Sequence, residues 1–147
     1  MEREFRLSIV PEKLSVSNII YIKEEVFGFG PGGNETGVLA YELPDKIASD
    51  IENIGIEYFA NLTPRQRNNR DLYQKWRKTP ITDIDKIEDH LNRYGYSILI
   101  DKQIENEIDE AISKPGSFVV NGRGGSILIV NPKTRRVFIA YSGWVCN

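Results

Sequence analysis

The chain has 147 residues, 40% apolar and 27% charged, the balance of an ordinary globular protein long enough to bury a core. Its formal net charge of -2, from 19 basic and 21 acidic residues, gives no overall pull toward nucleic acid or an anionic membrane. A single cysteine, Cys146, and a single histidine, His90, exclude an intramolecular disulfide and a multi-cysteine zinc site, so no metal is expected.

The opening residues Met1 to Arg6 are charged, with no apolar leader, and no run approaches the roughly 20 apolar residues that span a bilayer. A soluble cytoplasmic protein without a membrane contact is expected. Residues 5–9 alternate apolar and polar, which predicts a strand closed by Pro11. Residues 14–27 carry Leu14, Val16, Ile19, Ile20 and Val26, and their β-branched side chains leave helix and strand both open. Five glycines among residues 28–37 predict a loop, and an adaptable one. Residues 38–43 read as a buried strand.

Pro44 suits the first turn of a helix, where its missing N–H costs nothing. Ile47, Ile51 and Ile54 give that helix one apolar stripe, and Gly55 stands where it stops. Residues 56–60 read as a strand. A second helix is predicted from Thr82, with Ile84, Ile87, Leu91 and Tyr94 on one face and Gly95 after it, followed by a strand over 96–100. A third helix carries Ile104, Ile108, Ala111 and Ile112. Strands over 117–121, 126–130 and 136–141 close the chain, joined by turns at Gly122 to Gly125 and Asn131 to Thr134.

Asp45-Lys46-Ile47 lies ten residues before Gly55, and Asp85-Lys86-Ile87 ten before Gly95. A helix-glycine-strand module used twice is one reading; shared helix-cap chemistry is the other. No linker divides residues 1–147, so one domain is expected. Helices alternating with strands and then a helix-free, strand-rich end predict an α+β fold. Its sheet should be mixed or antiparallel, with about three or four helices and a C-terminal three-strand meander.

Two features are candidates for a binding surface. In the glycine stretch, Gly28, Gly30 and Gly33 match the letters of a dinucleotide fingerprint, but a strand follows where that fingerprint needs a helix N-terminus. Phe29 is then either a core residue or an aromatic offered to a ligand, and Asn34 and Glu35 place polar groups at the far end. The second is the run Arg65, Arg67, Arg70, Lys75, Arg77 and Lys78, six cations against the one acid Asp71, with Tyr73 and Trp76 interleaved. Cations among aromatics suit phosphate contact and base stacking; they suit an acidic protein surface or plain solvation as well. Arg123 on its glycine turn is a further anion hook.

The segment from Asp101 to Glu110 has five carboxylates against Lys102, and Asp101, Glu105 and Asp109 at spacing four can share a helix face. A solvated face and a surface for a basic partner are the two readings. His90 sits at the edge of its helix stripe with no serine or cysteine placed beside it, so no nucleophile and base pair is proposed.

A surface patterned by charge, without a catalytic motif, points to a protein-binding module of bacterial type, such as an inhibitor or an immunity protein that neutralises a toxin. The partner residues expected are Arg65, Arg67, Arg70, Trp76, Phe29, Asn34, Glu35 and Arg123, with no cofactor. One alternative is an enzyme acting on a nucleotide or other phosphorylated substrate through an arginine clamp, with Glu35 as the base. The second is a nucleic-acid-binding module.

Overall fold

The structure, a computed structural model, describes residues 6–7, 9–27, 34–60, 75–92, 98–122 and 126–145. Six strands form one antiparallel sheet: β1 (Ile19–Phe27), β2 (Asn34–Glu42), β3 (Arg77–Lys78), β4 (Phe118–Asn121), β5 (Ile127–Asn131) and β6 (Arg136–Val145). Their order is β1-β2-β6-β5-β4-β3, so β2 and β6 lie inside and, among the described residues, β1 and β3 are the edges. Among the described residues, the helices with defined bounds are α1 (Asp45–Ile54), α2 (Ile87–Leu91) and α3 (Lys102–Ser113). The coarse class is therefore α+β.

Both faces of this sheet are covered. Side chains alternate across a strand with period two, and here both sets of positions are buried. Leu39, Tyr41, Phe118, Val120, Leu128, Val130, Val137, Ile139 and Tyr141 face one cluster, completed by Leu14, Val16, Ala48, Ile51, Tyr58 and Phe59. Val38, Ala40, Val119, Ile127, Ile129, Phe138 and Ala140 face the other, completed by Ile87 and Leu91 of α2 and Ile104, Ile108, Ala111 and Ile112 of α3. Near-continuous apolar strands follow from cover on both sides.

The terminal strands and α3 lie where the alternation and the helical stripe put them. Several other expectations are corrected. Arg6 and Leu7 are helical, and Ile9 and Val10 enter the first cluster without joining the sheet. The open segment 14–27 resolves into a 3-10 turn, Glu12–Leu14, and strand β1, the choice its β-branched residues favour once β2 supplies a partner.

The expected glycine loop is shorter than residues 28–37, since Asn34 to Gly37 pair with β1 on one side and β6 on the other; residues 28–33 lie outside the described residues. Ile56 to Phe59 wind into a 3-10 turn, Gly55–Phe59, that puts Tyr58 and Phe59 into the core. The helix expected from Thr82 is confined to Ile87–Leu91. Ile98 to Ile100 are not a strand, and Leu99 is 88% exposed; Tyr94 to Ser97 lie outside the described residues. The internal echo is no structural repeat, because Gly55 leads to a 3-10 turn and α1 and α2 pack on opposite faces.

Candidate functional site

The segment after β3 is fastened at several points. Thr79 N–H donates to the Ser117 carbonyl at 3.0 Å, and Ser117 N–H donates to Thr79 Oγ1 at 3.0 Å. The Thr79 hydroxyl lies 2.7 Å from the Lys114 carbonyl, and Ile81 N–H reaches the Ile112 carbonyl at 3.0 Å. These bonds tie the chain from Thr79 to Ile81 to the end of α3 and the start of β4. Ile87 and Leu91 then anchor α2, and the Asp109 carboxylate of α3 accepts the Ile87 N–H at 2.9 Å. That bond satisfies one of the helix's orphan donors from outside its own sequence.

Between these anchors lies an open cleft of about 500 Å³, lined by Thr82, Asp83, Ile84, Asp85, Asp89, His90 and Asn121. Arg77 forks across its rim, Nη1 to Asp83 at 3.0 Å and Nη2 to the Asn121 side-chain oxygen at 2.8 Å. The Arg77 hydrogen bond holds the Asp83 carboxyl below its ordinary value; burial opposes this, and the charges of Arg77 and His90 add to it. His90 is buried, the boundary position its helix edge implies. The remaining acids, Asp85 and Asp89, are exposed and have no ion pair among the described residues. A lining of this kind takes a cationic or hydrogen-bond-donating group.

The carboxylates of α3 are differently placed. Asp101 caps the helix, accepting Gln103 N–H at 2.8 Å. Glu105 pairs with Lys102 at 3.0 Å, Glu107 with Arg136 at 3.3 Å and Glu110 with Lys114 at 3.3 Å. Asp109 holds α2, and burial raises its pKa, with the Ile87 N–H working against that shift and Glu105 with it. The acidic stripe at spacing four is thus three separate structural fastenings.

Of the residues expected to bind a partner, Arg65, Arg67, Arg70, Phe29 and Arg123 lie outside the described residues. The backbones of Asn34 and Glu35 run in β2, paired with Val145 and Trp144 of β6. Trp76 is half-buried and stacks on Phe59, with ring centroids 4.2 Å apart. No protein-family model, curated protein or solved structure matches the chain. Among the described residues, none of the His, Cys, Asp and Glu side chains cluster as a metal set, and no helix is long and apolar enough to cross a membrane.

Sequence reasoning missed the cleft because its parts are spread over β3, the 82–86 segment, α2 and β4. The doublet Asp83 and Asp85 just before an apolar stripe was its only local signal, and that pattern reads equally as a helix start. A second polar cluster was also missed. Glu24 on β1 accepts two bonds from Arg6, at 3.1 and 2.7 Å, and a third from the Tyr141 hydroxyl, while the Tyr41 hydroxyl donates to the Arg6 carbonyl at 2.8 Å. This cluster clasps the N-terminal segment to the sheet.

Proposed function

We propose that this protein is a protein-binding module that receives a cationic side chain of its partner in the acidic cleft between β3, α2 and the end of β4. The observation that carries the reading is the contrast between two sets of acids. Those of α3 are occupied by caps and ion pairs, whereas Asp85 and Asp89 line a cleft with no ion pair among the described residues. Exposed carboxylates beside a cleft set specificity and speed encounter with a basic surface. A partner whose own substrate is polyanionic presents such a surface. The activity that fits is therefore an inhibitor or immunity protein acting in the cytoplasm on a toxin that handles phosphate-bearing substrates.

The test is a pull-down from the native host with mass spectrometry, followed by calorimetry on the purified pair. Asp85→Lys with Asp89→Lys should weaken the complex by about tenfold or more, and rising salt should slow association of the wild type. The thermal melt should stay within ~0.5 kcal/mol of wild type, because both side chains are exposed. A complex indifferent to this reversal but lost on Arg65→Glu with Arg67→Glu would move the partner surface to the arginine run. A tight nucleotide lost on that second reversal would favour the enzyme reading.

A further inference from the structure

Arg77 already places a guanidinium on the rim of the cleft between β3, α2 and the end of β4. Its Nη1 donates to Asp83 at 3.0 Å and its Nη2 to the Asn121 side-chain oxygen at 2.8 Å, so acceptors from two separate segments share one planar fork. The Arg77 hydrogen bond also holds the Asp83 carboxyl below its ordinary value, which favours the ionised acceptor. The pair is shallow: the Arg77 and Asp83 side chains are 37% and 54% exposed, and an ion pair at that depth contributes little to stability. The backbone beneath is held without it. Arg77 pairs with Val119 in the β3–β4 register, and Thr79 and Ser117 exchange bonds two residues on. The guanidinium can therefore leave its acceptors while the strand that carries it stays in place.

We propose that Arg77 is an internal stand-in for an arginine of the partner, which takes its place on Asp83 and Asn121 when the complex forms. This rests on the reading of the cleft as the partner site, and it names the cation received there. Two acceptors that fit both Nη groups of one guanidinium select a second guanidinium, because the fork is planar and its donors are fixed in one geometry. A lysine ammonium is a compact point charge without that fork. The rest of the lining supplies the attraction. Asp85 and Asp89 line the same cleft, so among the described lining and rim residues three carboxylates stand against one guanidinium. An incoming cation therefore meets a negative field while Arg77 is still seated. Exchange replaces like with like: Asp83 and Asn121 keep their donors, and the released Arg77 side chain passes into water. Arg77 also sets the strength of the site, since an incoming guanidinium must first displace it.

Nuclear magnetic resonance titration of the full chain tests this, with Nα-acetyl-arginine methylamide and Nα-acetyl-lysine methylamide as probes. On the wild type, the arginine probe should move the Arg77 guanidinium signals toward those of a solvated arginine. Arg77→Lys keeps the charge but not the fork. It should tighten the arginine probe about threefold or more while the lysine probe stays within about twofold. Asn121→Leu added to Arg77→Lys should erase that preference, because one acceptor of the fork is gone. The wild-type signals need no substitution, so they decide the matter even where a variant fails to fold. An arginine probe that binds the wild-type cleft with the Arg77 signals unmoved overturns the exchange. So do equal gains for both probes in Arg77→Lys, or an arginine probe that binds neither protein. The reading of the cleft itself stands or falls separately, on the reversal of Asp85 and Asp89 in the partner complex, which leaves Arg77 in place.

Discussion

At Gly37 the chain has room for a hydrogen and nothing more. A methyl group there would sit 2.7 Å from the Tyr141 hydroxyl and 2.9 Å from the Lys23 carbonyl, one of them main chain. Gly37 lets the Tyr141 ring lie across β2 so that its hydroxyl reaches Glu24, the residue paired with Gly37 in the β1–β2 register. Gly37→Ala should therefore destabilise by about 1–3 kcal/mol, read as a lowered midpoint in urea. Asp109 tests electrostatics in the other core. Burial holds its folded-state pKa above the ordinary carboxylate value, so the ionised form is penalised in the native state. That penalty is present above the raised value and disappears as pH falls below the unfolded one. Asp109→Asn keeps an acceptor for Ile87 N–H without the charge, and its melt should equal or exceed wild type at pH 7, with the difference vanishing near pH 3. Asp109→Ala loses the acceptor and should cost about 1 kcal/mol at either pH. Asp83 has the opposite sign: its pKa is lowered by Arg77, and its small stabilisation is lost as pH falls through that lowered value.

Among the elements, the two longer helices were legible because each carries an apolar stripe at helical spacing. In α3, Ile104, Ile108, Ala111 and Ile112 are all buried. In α1 the stripe is narrower than its spelling: Ile51 and Ala48 are buried, while Ile54 is 55% exposed beside the terminating Gly55, whose φ is +80°. Leu91→Ala and Ile108→Ala should each cost about 2–5 kcal/mol, while Ile54→Ala should stay within ~0.5 kcal/mol; chemical denaturation of the three variants separates them. The apolar runs at 56–60 and 96–100 misled because a short run of that kind carries no period. Whether it becomes a strand depends on a vacant sheet edge beside it. Tyr58 shows what won instead: its hydroxyl donates to the Lys13 carbonyl at 2.9 Å, Lys13 Nζ returns a bond to the Tyr58 carbonyl at 2.8 Å, and Phe59 stacks on Trp76. Contacts with distant segments fixed that turn.

Over the whole molecule, the two apolar clusters share one sheet, since β2, β4, β5 and β6 send alternate side chains into each. Neither cluster can be lost without the strands that build the other. Thermal unfolding should therefore be a single transition, with calorimetric and van't Hoff enthalpies equal. In hydrogen exchange, the amides of Val38 to Tyr41 and Phe138 to Tyr141 should open only with global unfolding, Gly37 among the protected group. The amino-acid sequence alone determined the α+β class, the stripes of α1 and α3, and strands β2, β4, β5 and β6, because period and turn chemistry are local properties. Only the tertiary structure decided that Asn34 to Gly37 are strand, that β1 is an edge strand among the described residues, and that Asp83, Asp85, Asp89, His90 and Asn121 line one cleft. Those facts depend on which segments are neighbours in space, and neighbours 44 residues apart, as Arg77 and Asn121 are, leave no periodic trace along the chain.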